Sequence, residues 1–311
     1  MKILVLGAGG VGGYFGGRLV ESGSDITFLV RDHRRKQLIK SGLRLNSPHG
    51  NFSTSVKCKT LDDTPDKYDL VILSCKSYHL TEACVSLRKW LNTPTCVLPF
   101  LNGLSHIDEM IKTFGEDLVF GGAAHVATTL SKDGHVIQLN PIQILTVGPL
   151  NGSKHLDVLE AFVNECRKSS FSIKCVDNVL QSMWEKWVFL ATLAGSTVLF
   201  RNSVGAITET KIGNNLMQRM YDEGKSVAVA NNINIPKKAQ ITALDILMKP
   251  GSDFTASMLR DLVMKLPTEH DHILGGLVEL GKCHDIDMPL LSAAYVSACA
   301  NISQFRSNLV P

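Results

Sequence analysis

The 311-residue chain has no Cys-x-x-Cys pair, no His-Glu-x-x-His motif, no long basic run and no apolar stretch of membrane-spanning length. Each absence narrows the chemistry. The cysteines, Cys58, Cys75, Cys84, Cys96, Cys166, Cys175, Cys283 and Cys299, are dispersed and several sit inside apolar runs. They read as small buried hydrophobes of a reducing compartment, not as a disulfide framework or a zinc site. Lys and Arg exceed Asp and Glu by only 32 − 29 = 3, so nucleic acid is not an expected partner. The longest uncharged apolar stretch, Trp187 to Phe200, has 14 residues where a membrane span needs about 20. It is expected to be a buried helix, and no membrane partner is expected. The first apolar run is broken at once by glycines and is too short for a signal peptide, which points to the cytoplasm. At 44% hydrophobic and 20% charged residues, the composition excludes disorder and a coiled coil, and the length favours two domains.

What is present changes texture along the chain. Ile3 to Leu6, Ile26 to Val30, Leu70 to Ser74, Thr95 to Leu98, Leu118 to Phe120, Ile144 to Val147 and Ser172 to Val176 read as strands. Short apolar runs with helical stretches between several of them predict a mostly parallel sheet covered on both faces. Beyond Asp177, Val179 to Phe200, Ile212 to Asn231, Ala239 to Met248, Phe254 to Leu266, Thr268 to His284 and Leu290 to Ser303 read as helices, with no convincing strand among them. The expected boundary therefore lies near Asp177, between an α/β domain over 1–177 and an all-α domain over 178–311.

The most informative motif is Gly7-Ala8-Gly9-Gly10-Val11-Gly12, directly after the first strand and opening a helix. Gly7 permits a tight turn, Gly9 lets the backbone approach a pyrophosphate, and Gly12 allows close helix–strand packing. The helix N-terminus supplies free N–H groups for phosphates. A glycine-rich turn without ligand is the plainer alternative. The first domain is expected to be a Rossmann-like dinucleotide-binding unit. An NAD binder usually carries an acid at the end of the second strand. Here that strand ends in Arg31, followed by Asp32, His33, Arg34 and Arg35. An arginine suits a 2′-phosphate and points to NADP(H), with Asp32 as a shifted acid, or a solvated basic helix start, as the alternatives.

Polar residues embedded in apolar sequence are the candidates for chemistry. Lys76 and Asn102-Gly103 each follow a strand, at the end where ligands collect in such sheets. Lys186 lies within Trp184-Glu185-Lys186-Trp187-Val188-Phe189-Leu190. Desolvation there would lower its pKa and make it a proton donor near neutrality, although a lysine snorkelling at the rim of a buried helix is the simpler account. Glu269 and Asp271, after a Thr268 cap, read as first-turn acids. The crowded Glu269-His270-Asp271-His272 lacks i, i+4 ligand spacing, so no metal is expected. His79, His125 and His135 have no recognisable partners and read as structural.

Together, Gly7 to Gly12, Arg31, Lys76, Asn102-Gly103, Lys186 and Ser257-Met258-Leu259-Arg260-Asp261 followed by Thr268-Glu269 resemble the ketopantoate reductase (2-dehydropantoate 2-reductase) family over nearly the whole chain. The most specific part is Ser257 to Asp261 with a glutamate 12 residues after the serine. The resemblance implies a Rossmann domain joined to a helical domain, with NADPH and a small keto-acid substrate in the cleft between them. A homodimer is compatible with it. It also implies Lys186 as general acid, Glu269 as the carboxylate orienting substrate and lysine, and Lys76, Asn102 and Ser257 lining the nicotinamide and substrate site. Four positions depart from the family pattern: Leu190, Ala194 and Val204 stand where asparagine is frequent, and His79 replaces a frequent glutamine. NADPH-dependent reduction of ketopantoate is the leading expectation. A reductase of a more apolar keto or imino acid, or a non-catalytic NADP(H) sensor, are the alternatives.

Overall fold

Lys2-Ile3-Leu4-Val5-Leu6 shows no polar alternation, and Ile3, Leu4 and Val5 are wholly buried, as expected of a strand covered on both faces. A computed structural model describes residues 1–91 and 94–307. The last four residues of the expected helical domain, 308–311, lie outside the described residues. The chain divides into two compact units, Met1–Leu101 with His106–Ser182, and Asn102–Ser105 with Met183–Pro311.

The strands of the first unit are β1 (Lys2–Leu6), β2 (Asp25–Leu29), β3 (Leu43–Asn46), β4 (Phe52–Thr54), β5 (Lys57–Lys59), β6 (Leu70–Leu73), β7 (Cys96–Pro99), β8 (Phe120–Leu130), β9 (Val136–Pro149) and β10 (Ser172–Cys175). Its helices are α1 (Gly10–Glu21), α2 (Asp32–Ser41), α3 (Leu80–Leu87), α4 (His106–Phe114) and α5 (Leu156–Cys166). One sheet is five-stranded and parallel throughout, in the order β5-β2-β1-β6-β7. Its alternate residues feed two cores: Ile3 and Val5 pack with Tyr14, Phe15 and Leu19 of α1, whereas Leu4 packs with Leu80, Leu87 and Met110 of α3 and α4.

The sequence predicts one mostly parallel sheet, and the structure adds a second to it. Among the described residues this unit holds two sheets, the second mixed, in the order β10-β9-β3-β4 with β8 antiparallel to β9. Only fragments of the β8–β9 hairpin were legible. Gly121-Gly122-Ala123-Ala124 in β8 has low strand propensity, and β9 carries Asn140 and Pro141 mid-run. The hairpin is held to α1 by a buried polar cluster: the Tyr14 hydroxyl lies 2.8 Å from Gln138 Oε1 and 2.5 Å from Gln143 Oε1, and the Gln143 amide donates to the Ser170 carbonyl. Of the eight cysteines, Cys84, Cys96 and Cys166 are buried as expected, but Cys175 and Cys283 are exposed. Cys175 and Cys283 end a short strand and a helix, and each follows a lysine instead of sitting inside an apolar run.

The second unit is helical and contains no strand among the described residues. It is built from most of α6 (Val179–Phe200), α7 (Val204–Thr208), α8 (Gly213–Ala230), α9 (Lys237–Leu247), α10 (Ser257–Val263), a π-helical turn over Asp271–Gly275, α11 (Gly276–Cys283) and α12 (Pro289–Ser307). No helix among the described residues is long and apolar enough to cross a membrane. The run Trp187 to Phe200 is the buried helix expected. It hides Thr192, Ser196 and Thr197 because each hydroxyl donates to a carbonyl one turn back, at 2.9, 2.7 and 2.6 Å. Glu223 on α8 caps α12, accepting from Leu290 N at 3.0 Å and Leu291 N at 2.8 Å.

Helix α1 lies so close to β6 that a Cβ on Gly12 would collide with Ser74 Oγ and the Gly7 carbonyl oxygen. Backbone cannot yield as a side-chain tip can. Gly12→Ala is therefore expected to destabilise the first unit by about 1–3 kcal/mol, the usual range for overpacking. A lower urea midpoint at unchanged m-value would check it. An unchanged midpoint would show that α1 can shift at no cost.

Candidate active site

The glycine loop is rigidly mounted. Gly7, at φ +98°, donates its N–H to the Leu29 carbonyl of β2 at 2.9 Å. This backbone conformation strongly favours glycine. Ser74 Oγ donates to the Leu6 carbonyl at 2.7 Å. Gly9 caps α1 with no side-chain hydrogen bond, and space lies open where its Cβ would be. The first-turn N–H groups thus meet no capping side chain, and the backbone at Gly9 is unobstructed, which fits a phosphate group.

Arg31 and Arg34 leave β2 together but take different positions. Arg31 is the exposed N-cap of α2, with Nη2 3.2 Å from His79 Nε2. Arg34 is buried. Its Nε donates to the Ala8 carbonyl at 3.0 Å and its Nη1 to the Gly134 carbonyl at 2.8 Å. Arg34 is thus no part of a solvated basic helix start, the alternative that the sequence leaves open, but clamps the glycine loop to the turn between β8 and β9. Only the missed hairpin could have revealed this. Lys76 is half-buried and caps the short turn Ser77–His79 after β6.

In the second unit, Lys186 of α6 is buried, not snorkelling. Burial drives its ammonium down to about 8 from the usual 10.5, and the carboxylate of Glu269 pulls in the opposite direction. Glu269 is likewise buried. Its position depends on the π turn that follows. Ile273 N donates to the Glu269 carbonyl at 2.9 Å, and the Trp187 indole donates to the Ile273 carbonyl at 2.9 Å. The residue next to Lys186 on α6 therefore anchors the turn that follows Glu269. The sequence predicts an ordinary helix from Thr268; the π turn begins at Asp271 instead, and such turns recur at functional sites.

Asn102 belongs to this second unit. Gly103, at φ +78°, carries the His272 ring where a Cβ would stand. Ser257 is exposed at the first turn of α10. The three departures from asparagine are not equivalent. Leu190 is half-buried, whereas Ala194 and Val204 are buried. Burial of Ala194, and of Val204 at the start of α7, leaves Leu190 as the position with open surface.

The chain matches the family description "Ketopantoate reductase PanE/ApbA" over residues 3–165 and its C-terminal counterpart over residues 178–298. It belongs to the ketopantoate reductase family. An oxidoreductase designated YkpB from Bacillus subtilis (strain 168) is 30% identical over 99% of both chains. A 2-dehydropantoate 2-reductase from Pyrococcus abyssi (strain GE5 / Orsay) is 26% identical over 93% of this chain and 94% of that one. A D-mandelate dehydrogenase solved with NADH and anilino(oxo)acetate shares the fold at TM-score 0.89, with 21% identity over 98% of this chain and all of that one. The 2-dehydropantoate 2-reductase of Geobacter metallireducens GS-15 does so at 0.87, with 23% identity over 98% and 99%. The expected Rossmann-like α/β unit followed by a helical one is thus the fold of this ketopantoate reductase family oxidoreductase.

The electrostatics of Lys186 have a definite sign. Glu269→Gln removes the influence that holds the ammonium up and leaves the desolvation that pushes it down. The Lys186 pKa in that variant should fall below about 8. An NMR titration of isotopically methylated lysines would read it directly. A Lys186 pKa that rises or stays put would show that Glu269 does not face the ammonium.

Proposed function

We propose that the protein reduces a 2-keto acid at the expense of NADPH, with ketopantoate as the leading substrate, and that it works in the cytoplasm, where its free thiols stay reduced. The observation that carries this reading is the buried Lys186 at about 8 beside Glu269, in a family chain that also presents an open glycine loop. The unit ending at Ser182 is the nucleotide-binding domain and the helical unit carries the acid. Gly7, Ala8, Gly9, Gly10, Val11 and Gly12 would hold the pyrophosphate of NADP(H), Arg31 the 2′-phosphate, and Lys76 and Asn102 the nicotinamide end. When bound, the dinucleotide supplies the hydride that converts the keto carbon to an alcohol.

The chain's own residues do the rest. Lys186, protonated at neutral pH, gives its proton to the developing alkoxide oxygen, and its charge stabilises that oxygen before transfer. A pKa near the working pH lets the ammonium release the proton and regain it from water. Glu269 keeps the buried lysine charged and fixes its direction. Asn102 and Ser257 offer hydrogen bonds to the substrate carboxylate. Leu190 favours a second reading, a bulkier and more apolar 2-keto acid, because a leucine offers no hydrogen bond to a substrate hydroxyl.

The nucleotide assignment is tested by Arg31→Ala. Loss of a charge-assisted contact, about 1.5–3 kcal/mol, should weaken NADPH roughly 10- to 150-fold and leave NADH nearly unchanged. Equal losses would transfer the role to Asp32.

The chemistry and substrate are tested together by pH profiles and a keto-acid panel followed by NADPH oxidation. Because the protonated lysine is the acid, kcat/KM for reduction should fall tenfold per unit above about pH 8. Lys186→Ala should lower kcat on the order of 10²-fold or more with NADPH affinity kept. Leu190→Asn should shift preference towards ketopantoate from apolar 2-keto acids. A wild-type kcat/KM for ketopantoate well above about 10⁵ M⁻¹s⁻¹ would exclude the apolar alternative, and nucleotide binding without turnover of any keto acid would overturn the proposal.

A further inference from the structure

The run His270-Asp271-His272 lacks metal spacing along a regular helix, but the chain there is not a regular helix. The π turn starts at Asp271, and α12 packs beside it. Helix α12 brings Tyr295 and Cys299, one turn apart, to the same place. One ligand-type atom from each of His270, Asp271 and Cys299 lies within 4.8 Å of the others. His270 Nε2 and Asp271 Oδ1 are 3.5 Å apart. That matches an N–O edge of a tetrahedral zinc site, roughly 3.3–3.6 Å for Zn–N and Zn–O bonds of about 2.0–2.2 Å.

The surroundings of these three groups favour a cation. His270 Nδ1 lies 2.9 Å from Thr268 Oγ1 and 3.4 Å from the Thr268 carbonyl. An Nδ1–H donated to that carbonyl leaves the Nε2 lone pair aimed at a carboxylate, an arrangement that a cation resolves. An outer partner on the far ring nitrogen is also how metal-bound histidines are oriented. The Tyr295 hydroxyl donates to Asp271 Oδ1 at 2.8 Å, too close for both oxygens to be ligands, so Tyr295 is an outer partner of the carboxylate. A surface pocket of about 460 Å³, lined in part by Asp271, Gly275 and Tyr295, opens beside the carboxylate.

We propose that His270, Asp271 and Cys299 form a binding site for a divalent cation of zinc's class, which staples the π turn to α12. Nitrogen, carboxylate and thiolate donors together select zinc or cobalt over magnesium or calcium. On binding, the Cys299 S–H bond breaks, a sulfur–metal bond forms, and the proton leaves to solvent. The site directly follows Glu269, at the turn that helps to position it, but the metal proposal does not depend on the keto-acid reading.

Cobalt(II) is the probe, because a thiolate ligand announces itself by a near-ultraviolet charge-transfer band and tetrahedral geometry by strong visible absorption. The purified full chain should take up one equivalent with both signals. Zinc should displace it and raise the melting temperature. Cys299→Ala should lose the charge-transfer band and the zinc-dependent rise in melting temperature. Asp271→Asn, which keeps size and an oxygen for Tyr295, should weaken binding on a folded protein even if the cysteine variant does not fold. No charge-transfer band in the wild type, a band that survives in Cys299→Ala, or undiminished binding in Asp271→Asn would each overturn the proposal.

Discussion

A lysine ammonium removed from water is the most demanding feature of this molecule, because an isolated buried charge carries a desolvation penalty of several kcal/mol. The helical unit is organised around meeting it. Helix α6 is apolar enough to hide Lys186, and Glu269 opposes the resulting loss of charge. Trp187 holds the π turn behind Glu269 by a single indole hydrogen bond to the Ile273 carbonyl. That carbonyl lies within the π turn, so the bond ties the turn itself to α6. Backbone irregularity and side-chain charge are thus one arrangement, and neither is explained without the other.

The α/β unit meets a different demand, that of holding a glycine-rich loop still with no side-chain cap on the helix that follows. The glycines remove side chains from the path of a phosphate, but they also remove stiffness. Stiffness returns from outside the motif: the Gly7 amide bonds to β2, Ser74 bonds to the carbonyl before the loop, and Arg34 grips the carbonyl inside it. Tyr14 then ties the following helix to the hairpin through Gln138 and Gln143. These restraints come from distant parts of the chain, so a glycine motif alone specifies the loop's permission to bend but not its fixed shape.

That distinction explains how much could be read from the sequence. The strand β1, the glycine loop and the long helix α6 each carry their own signal over a few consecutive residues, and all were legible. The hairpin β8–β9 was not, because small residues and a proline obscure its alternation until pairing is known. Arg34 was hidden with it, since its partner Gly134 lies in the hairpin turn. The burial of Lys186 runs against the simpler account of a lysine snorkelling at a rim: apolar neighbours along a helix describe both a rim and an interior, and only the opposing turn decides. Ala194 and Val204 were grouped with Leu190 by resemblance, yet burial separates them. Spacing along one helix gives direction, but not how much surface remains once other helices pack on it.

The stretch Asn102 to Ser105 has a consequence for how this protein could be taken apart. It is encoded amid the α/β unit but belongs, by its neighbours, to the helical one. Gly103 in a left-handed conformation leaves the space filled by the His272 ring, and Ser105 Oγ lies where a Cβ on Gly276 would make close contact. The two halves are therefore not interchangeable cassettes. A recombinant made by joining the first half of one relative to the second half of another, cut anywhere near 177–182, would mate this tetrapeptide with a foreign π turn. Such hybrids should inherit their compatibility from four residues on the wrong side of the junction. Lineages that exchanged halves would have had to exchange those four as well.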